Sequence, residues 1–203
     1  MIHVIDNFFD DPYSVRRIAL KDKFYTSPEG WWPGQRTASI PKHVRNYIQS
    51  EVESYTKKKL RINFSSFQYV TSKYGEGGFH VDSNRPGRYT CVTYLCENNT
   101  IDCGTEISEK DNESNSPKII VKTRTKIKED FYKKGGNGFV KSIKNAIMVK
   151  ILNSYYTPNY IIPCKFNRMI VFPGHYCHRA QKFFGTSIEN ARLTCVTFLD
   201  FNT

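Results

Sequence analysis

From Leu60 onward the apolar residues fall into short runs with a period of two, and this pattern narrows the fold more than any other feature. Leu60, Ile62 and Phe64 alternate with polar neighbours, Phe67 and Tyr69 continue the run, and Tyr89 to Leu95 alternates again. Met169 to Phe172 is a short apolar run closed by Pro173-Gly174, and Leu193 to Phe201 is mostly apolar. Side chains two apart on an extended chain share a face, so these runs read as strands. Successive strands with few helices between them favour a β-sandwich-like barrel over an alternating α/β fold. Residues 2–5 add a weak first strand. Asp11-Pro12 forms a cap and first turn for a helix over about 12–22, with Val15, Ile18 and Ala19 at helical spacing. A second helix follows Pro41, where Val44, Ile48, Val52 and Tyr55 form one apolar stripe. Both helices are expected to brace one outer face of the sheet.

The chemistry centres on Tyr74-Gly75-Glu76-Gly77-Gly78-Phe79-His80-Val81-Asp82. On an extended segment His80 and Asp82 present an imidazole and a carboxylate side by side. A third ligand is available in Phe172-Pro173-Gly174-His175-Tyr176-Cys177-His178, from either His175 or His178. Two imidazoles and one carboxylate on one face of a metal leave positions open for a cosubstrate and oxygen, which suits non-haem Fe(II). Gly75, Gly77 and Gly78 allow a sharp turn or a close backbone approach. They are not a phosphate loop, because the Gly-Lys-Ser/Thr ending is missing. Trp31-Trp32-Pro33-Gly34-Gln35-Arg36 is a turn-rich loop whose aromatics pack in the core or border a substrate groove.

The order of these pieces resembles the 2-oxoglutarate/Fe(II)-dependent dioxygenase superfamily, whose core is a double-stranded β-helix (a jelly-roll or cupin-like, mainly β architecture with flanking helices). The match runs through His80-Val81-Asp82, Arg88 to Leu95, Cys103-Gly104-Thr105-Glu106, Phe166 to Gly174, His178 and Ala191 to Leu199. Ile5-Asp6-Asn7-Phe8-Phe9 and Pro33-Gly34-Gln35-Arg36-Thr37 resemble an uncharacterised branch of it found in bacteria and phages. The resemblance implies Fe(II) on His80, Asp82 and His178, with His178 preferred to His175 by its spacing from Phe-Pro-Gly and from Arg192. It implies that Arg192 meets the far carboxylate of 2-oxoglutarate. Thr194 lies on the same strand face, where its hydroxyl can assist, and Tyr74 and Tyr69 are either phenol donors to the same cosubstrate or, in the first place, core-packing residues. The implied reaction uses O2 and 2-oxoglutarate to hydroxylate a substrate, a protein side chain first (as in prolyl hydroxylases) and a nucleobase second. Arg192 stands where many animal collagen-type prolyl hydroxylases carry Lys, which argues against direct equation with that subgroup.

At 203 residues the chain fits one domain spanning its whole length, with an insertion at about 108–160 where the resemblance lapses. Residues 109–150 hold 11 Lys+Arg and 5 Asp+Glu, more than half of the net +11 of the chain. Asn112 to Pro117 is polar and turn-like, and Lys133 to Gly138 reads as a flexible tip. Ile119 to Val121 and Ile143 to Leu152 carry enough apolar residues for short strands or a helix. The insertion is expected to act either as a lid or clamp for an anionic macromolecule, separable from iron and cosubstrate binding, or as a decorative, solvated surface flap. No apolar run is long enough to span a membrane, and Met1 to Asp6 lacks the features of a signal peptide. Six cysteines without a Cys-x-x-Cys pair are expected to be reduced thiols in a cytoplasmic protein, the host cytoplasm if phage-encoded. Two competing readings are a basic nucleic-acid-binding protein whose β-core has lost its chemistry, and a cupin-like metalloprotein without 2-oxoglutarate. The first lacks any RNP, helix-turn-helix or zinc-finger signature.

Overall fold

The computed structural model describes residues 1–97, 102–108, 118–133 and 139–201. The strands are β1 His3–Ile5, β2 Phe24–Thr26, β3 Gln35–Thr37, β4 Leu60–Val70, β5 Arg88–Tyr94, β6 Thr105–Ser108, β7 Tyr160–Ile162, β8 Met169–Pro173, β9 Cys177–Ala180 and β10 Arg192–Phe201. The α-helices are α1 Pro12–Lys21, α2 Lys42–Thr56, α3 Lys118–Ile127 and α4 Phe139–Asn153. Seven strands form an antiparallel sheet in the order β1-β8-β5-β10-β4-β3-β2, and β7-β6-β9 form a second. The segment from Gly77 to Ser83 extends the smaller sheet beside β9, through Gly77 N to Ala180 O (3.0 Å), a two-way bridge between His80 and His178, and Asp82 N to Gly174 O (3.0 Å).

Helix α1 starts as its sequence dictates: Asp11 accepts from Ser14 N at 2.9 Å and Pro12 occupies the first turn. Val44, Ile48 and Val52 of α2 are buried with Leu60, Ile62, Cys91, Leu193, Cys195 and Leu199, so both helices cover the outer face of the large sheet. Tyr55, placed in that stripe by spacing, is instead half-exposed and meets His3 edge-on. The inner face packs against the small sheet through Tyr94, Ile107, Ile170 and Phe172.

One irregularity changes how β4 is read. Phe198 pairs with Phe64 while Leu199 pairs with Ile62, so Asn63 is an extra residue, a β-bulge. The alternation of Leu60, Ile62 and Phe64 therefore does not share one face: the bulge turns Phe64 inward to stack on Phe198 (5.8 Å). The hairpin β2–β3 was not legible in the turn-rich stretch around Trp31 to Arg36. It adds two edge strands to the sheet. Gly34 makes its turn possible: its φ is +73°, and a Cβ at this position would lie only 2.2 Å from the Tyr69 carbonyl oxygen.

The 108–160 insertion is largely helical where it is described, with α3 continued by a π turn over Lys128–Tyr132 before α4. Ile127, Phe131, Tyr132, Val149 and Leu152 bury against Val70, Tyr74 and Phe183. The polar stretch 112–117 and the glycine-rich tip at 134–138 lie outside the described residues. All six cysteines are buried, and none is joined in a disulfide among the described residues. Among the described residues no helix is long and apolar enough to cross a membrane.

Asp6, at the end of β1, accepts from Arg168 Nε (2.6 Å) and Nη2 (3.0 Å) and from Lys165 Nζ (2.9 Å). The Arg168 hydrogen bond, then that of Lys165, pulls its pKa down from 3.8 to about 2. A depressed folded-state pKa stabilises above the unfolded value and is lost as pH falls through the folded one. Wild type should therefore lose a modest, solvent-screened increment of stability between about pH 4 and pH 2. Asp6→Asn should lack that loss in urea melts across the same range; an unchanged acid limb would remove this role from Asp6.

Candidate metal centre

The bridge between His80 and His178 sets two imidazoles side by side, with His80 N donating to His178 O at 3.0 Å and His178 N to His80 O at 2.8 Å. Their ring centroids are 4.4 Å apart. Each ring directs Nδ1 at a backbone carbonyl, Gly78 O at 2.9 Å for His80 and Tyr176 O at 3.0 Å for His178. A carbonyl only accepts, so both Nδ1 atoms carry the proton and both Nε2 lone pairs are left for a cation. Both Nε2 atoms face Asp82, at 3.6 Å from Oδ1 for His80 and 3.2 Å from Oδ2 for His178. Thr90 of β5 donates to Asp82 Oδ2 at 2.7 Å and orients the carboxylate. The three ligand atoms lie within 4.8 Å of one another, the only such group among the described residues.

Electrostatics favour a cation here. His80 keeps 49% of its side chain open to the cleft, yet desolvation in that recess, with His178 beside it, pushes its pKa down to about 4. At neutral pH it is an uncharged ligand. Burial resists ionisation of Asp82, but the adjacent His178, its hydrogen bond, His80 and Thr90 together hold the carboxyl well below the usual range. Burial likewise opposes charge on His178, and Asp82 overcomes it and raises the His178 pKa. A divalent cation answers the same demand for positive charge and would displace that proton. The donor set therefore fits Fe(II) or a similar ion held by His80, Asp82 and His178, with hydrogen-bonded outer partners already in place.

The sequence matches the model of a family of unknown function, DUF6445, across residues 1–199. The chain belongs to that family. No curated protein matches it. This DUF6445 chain is similar in structure to HygX from Streptomyces hygroscopicus with nickel and 2-oxoglutarate bound, with a TM-score of 0.60 and 12% identity over 98% of this chain and 82% of that one. It is similar to SnoN, a non-haem α-ketoglutarate-dependent epimerase from nogalamycin biosynthesis, with 0.58 and 12% over 98% and 76%. A prolyl hydroxylase from Trichoplax adhaerens, in complex with a peptide of hypoxia inducible factor, gives 0.55 and 14% over 98% and 82%. These likenesses show the fold: a mainly β double-stranded β-helix of the kind found in 2-oxoglutarate/Fe(II) oxygenases.

Around the three ligands the DUF6445 chain opens a cleft of about 570 Å³, large enough for a small cosubstrate and part of a substrate. Arg192, at the start of β10, is buried and lines it. Its Nε donates to Cys103 O at 3.0 Å, and its guanidinium lies 5.3 Å from the Tyr94 ring centroid, so the fork is held in place. Thr194 shares that strand face, but its hydroxyl turns to Gln68 O at 3.4 Å and it is not part of the cleft lining. Tyr74 lies outside the lining too, in the apolar cluster beside Phe131. Tyr69 packs on Phe24 and donates to Gln35. His175 sits in the turn between β8 and β9, its ring against Tyr176, apart from the ligand cluster.

The insertion packs directly on the backbone of this site. Asn153, at the end of α4, accepts from Phe79 N at 3.0 Å and donates to Gly77 O at 3.0 Å. Arg124 of α3 donates to Phe79 O at 3.1 Å, and Leu152 packs on Gly78. Helical residues more than forty positions away thus clamp the backbone that delivers His80. Asn153→Ala would leave a buried amide and carbonyl unpaired, so it should cost about 1–3 kcal/mol of stability. Metal affinity should fall with it, measured by calorimetric titration. Wild-type affinity in a folded Asn153→Ala variant would deny the clamp any role in the centre.

Proposed function

We propose that this protein is a 2-oxoglutarate- and Fe(II)-dependent oxygenase that hydroxylates a protein side chain. The observation that carries the reading is the cluster of His80, Asp82 and His178, with both Nε2 lone pairs and the carboxylate converging on one point of an open cleft. When bound there, Fe(II) would supply activation of O2 coupled to oxidative decarboxylation of 2-oxoglutarate, giving succinate, carbon dioxide and a hydroxylated substrate. The chain's own residues supply the rest. Gly78 O and Tyr176 O fix the imidazole tautomers, and Thr90 orients the Asp82 carboxylate. Arg192 lines the cleft where its guanidinium fork would receive the far carboxylate of 2-oxoglutarate. Phe172, at 4.6 Å from the His178 ring, keeps water from one side of the site.

Two features support a macromolecular substrate, protein before nucleic acid. Lys122, Lys126, Lys144 and Lys150 are exposed on α3 and α4. Ile143, Ile147 and Ile151 are exposed at one-turn spacing on α4, an apolar stripe that suits a protein partner better than a nucleic acid. Six buried cysteines with no disulfide among them support a reducing compartment, the cytoplasm. Aerobic incubation with Fe(II) and 2-oxoglutarate should produce succinate, and Asp82→Ala should abolish it. Succinate formation that survives Asp82→Ala, or that needs no iron, would contradict the assignment.

A further inference from the structure

Trp31, Trp32 and Arg36 come from the loop and strand that begin the β3 hairpin, and all three line the cleft. The Arg36 guanidinium lies 4.7 Å from the Trp32 ring centroid, a cation–π contact that fixes its plane. One terminal nitrogen donates to Gln68 Oε1 at 3.1 Å. Gln68 is itself held, because its amide donates to Pro33 O at 2.8 Å. Two donors of this group are shielded from solvent and have no acceptor among the described residues: Arg36 Nε–H and Trp32 Nε1–H. Buried donors are ordinarily satisfied, and a charged one left unpaired is the costliest kind, so a small rotation of either side chain toward an acceptor entering the cleft it lines would be favourable.

The charges of the cleft agree. Its charged lining side chains are Arg36, Asp82, Arg124 and Arg192. Asp82 belongs to the metal and Arg192 to the cosubstrate, which leaves two cations. Arg124 is engaged by the Phe79 carbonyl and the Tyr156 hydroxyl. Desolvation lowers the Arg36 pKa to about 10, with Asp82 acting the other way, so Arg36 remains cationic at neutral pH. Phe64 and Phe198 form a stacked apolar wall of the same cleft.

We propose that Arg36 and Trp32 form an oxyanion subsite that receives a carboxylate or phosphate group of the substrate, whose apolar part packs on Phe64 and Phe198. The proposal rests on the oxygenase reading for its substrate role, and the test separates the two. Trp31 and Trp32 are the only tryptophans of the chain, so intrinsic fluorescence reports on this wall. The 203-residue chain, loaded with Ni(II) and saturating 2-oxoglutarate, would be titrated with benzoate, phenyl phosphate and the neutral benzamide. The anions should change the fluorescence saturably, while benzamide binds more weakly. Arg36→Gln should weaken anion binding by about ten-fold or more, and Arg36→Lys by less, since it keeps charge but loses the fork.

Preference for benzoate would identify a carboxylate as the substrate group, and preference for phenyl phosphate a phosphate; either supports the subsite. Equal affinity for benzoate and benzamide, or unchanged anion binding in both variants, would overturn it while leaving metal-dependent 2-oxoglutarate binding intact. Loss of 2-oxoglutarate binding in Arg36→Gln, with retention in Arg192→Gln, would also overturn it by making Arg36 the cosubstrate partner. If the wild type binds no 2-oxoglutarate with metal, the oxygenase reading fails, and the anion titration of the Ni(II) protein alone decides the subsite.

Discussion

Replacing His80, Asp82 or His178 with alanine should each lower Fe(II) affinity by more than about 100-fold, beyond the 10- to 100-fold typical of outer-shell partners. Each change removes one of the three ligand atoms that lie within 4.8 Å of one another. His175→Ala serves as the contrast, because its ring packs on Tyr176 outside the cluster and its loss should leave affinity nearly unchanged. Calorimetric titration with Fe(II) under anaerobic conditions, or with Mn(II) in air, gives the four affinities on one scale. Thermal melts separate ligand loss from misfolding, since His80 is half-open to the cleft and its truncation should barely perturb packing. A His175→Ala protein that binds no metal beside a His178→Ala protein that does would reverse the assignment of the third ligand.

Arg192→Ala should weaken 2-oxoglutarate binding by about 10- to 150-fold, the equivalent of losing a charge-assisted hydrogen bond worth roughly 1.5–3 kcal/mol. Metal affinity should stay close to wild type, because Arg192 is tethered to Cys103 O and Tyr94 and supplies none of the three clustered ligand atoms. Arg192→Lys should recover part of the loss through charge alone. Titrating 2-oxoglutarate into the Ni(II)-loaded variants measures both effects. Unchanged cosubstrate affinity in Arg192→Ala would move the anchor elsewhere in the cleft, with Arg36 the next cation on its lining.

The parts of this site that were legible in the sequence follow from local geometry. A His-x-Asp pair on extended backbone needs no tertiary information to present both side chains together, and the turn after Phe172-Pro173-Gly174 brings its histidines to the strand end. The strand core was legible for the same reason, since alternation survives in β5 and β10 without knowledge of partners. Reading failed where one residue or a distant element intervened. Asn63 is an ordinary polar residue in sequence, yet as a bulge it reverses the face of Phe64. Thr194 lies on the correct face by period, but a hydrogen bond to Gln68 O withdraws its hydroxyl. Tyr74 precedes the metal segment closely, and the packing of the insertion on it could not be read from spacing. The clamp from Asn153 and Arg124 spans 74 and 45 positions, and no local pattern announces such pairs. Arg36 was visible only as part of a motif, because its unpaired donor emerges once Trp32 and Gln68 are packed around it.

The most direct test of the central claim is an anaerobic spectrum of the 203-residue chain with Fe(II) and 2-oxoglutarate together. The account predicts a weak visible charge-transfer band that requires both components, disappears in His178→Ala and persists in His175→Ala. Absence of the band in wild-type protein that demonstrably binds Fe(II) would contradict a 2-oxoglutarate-dependent centre and leave a metalloprotein of another chemistry.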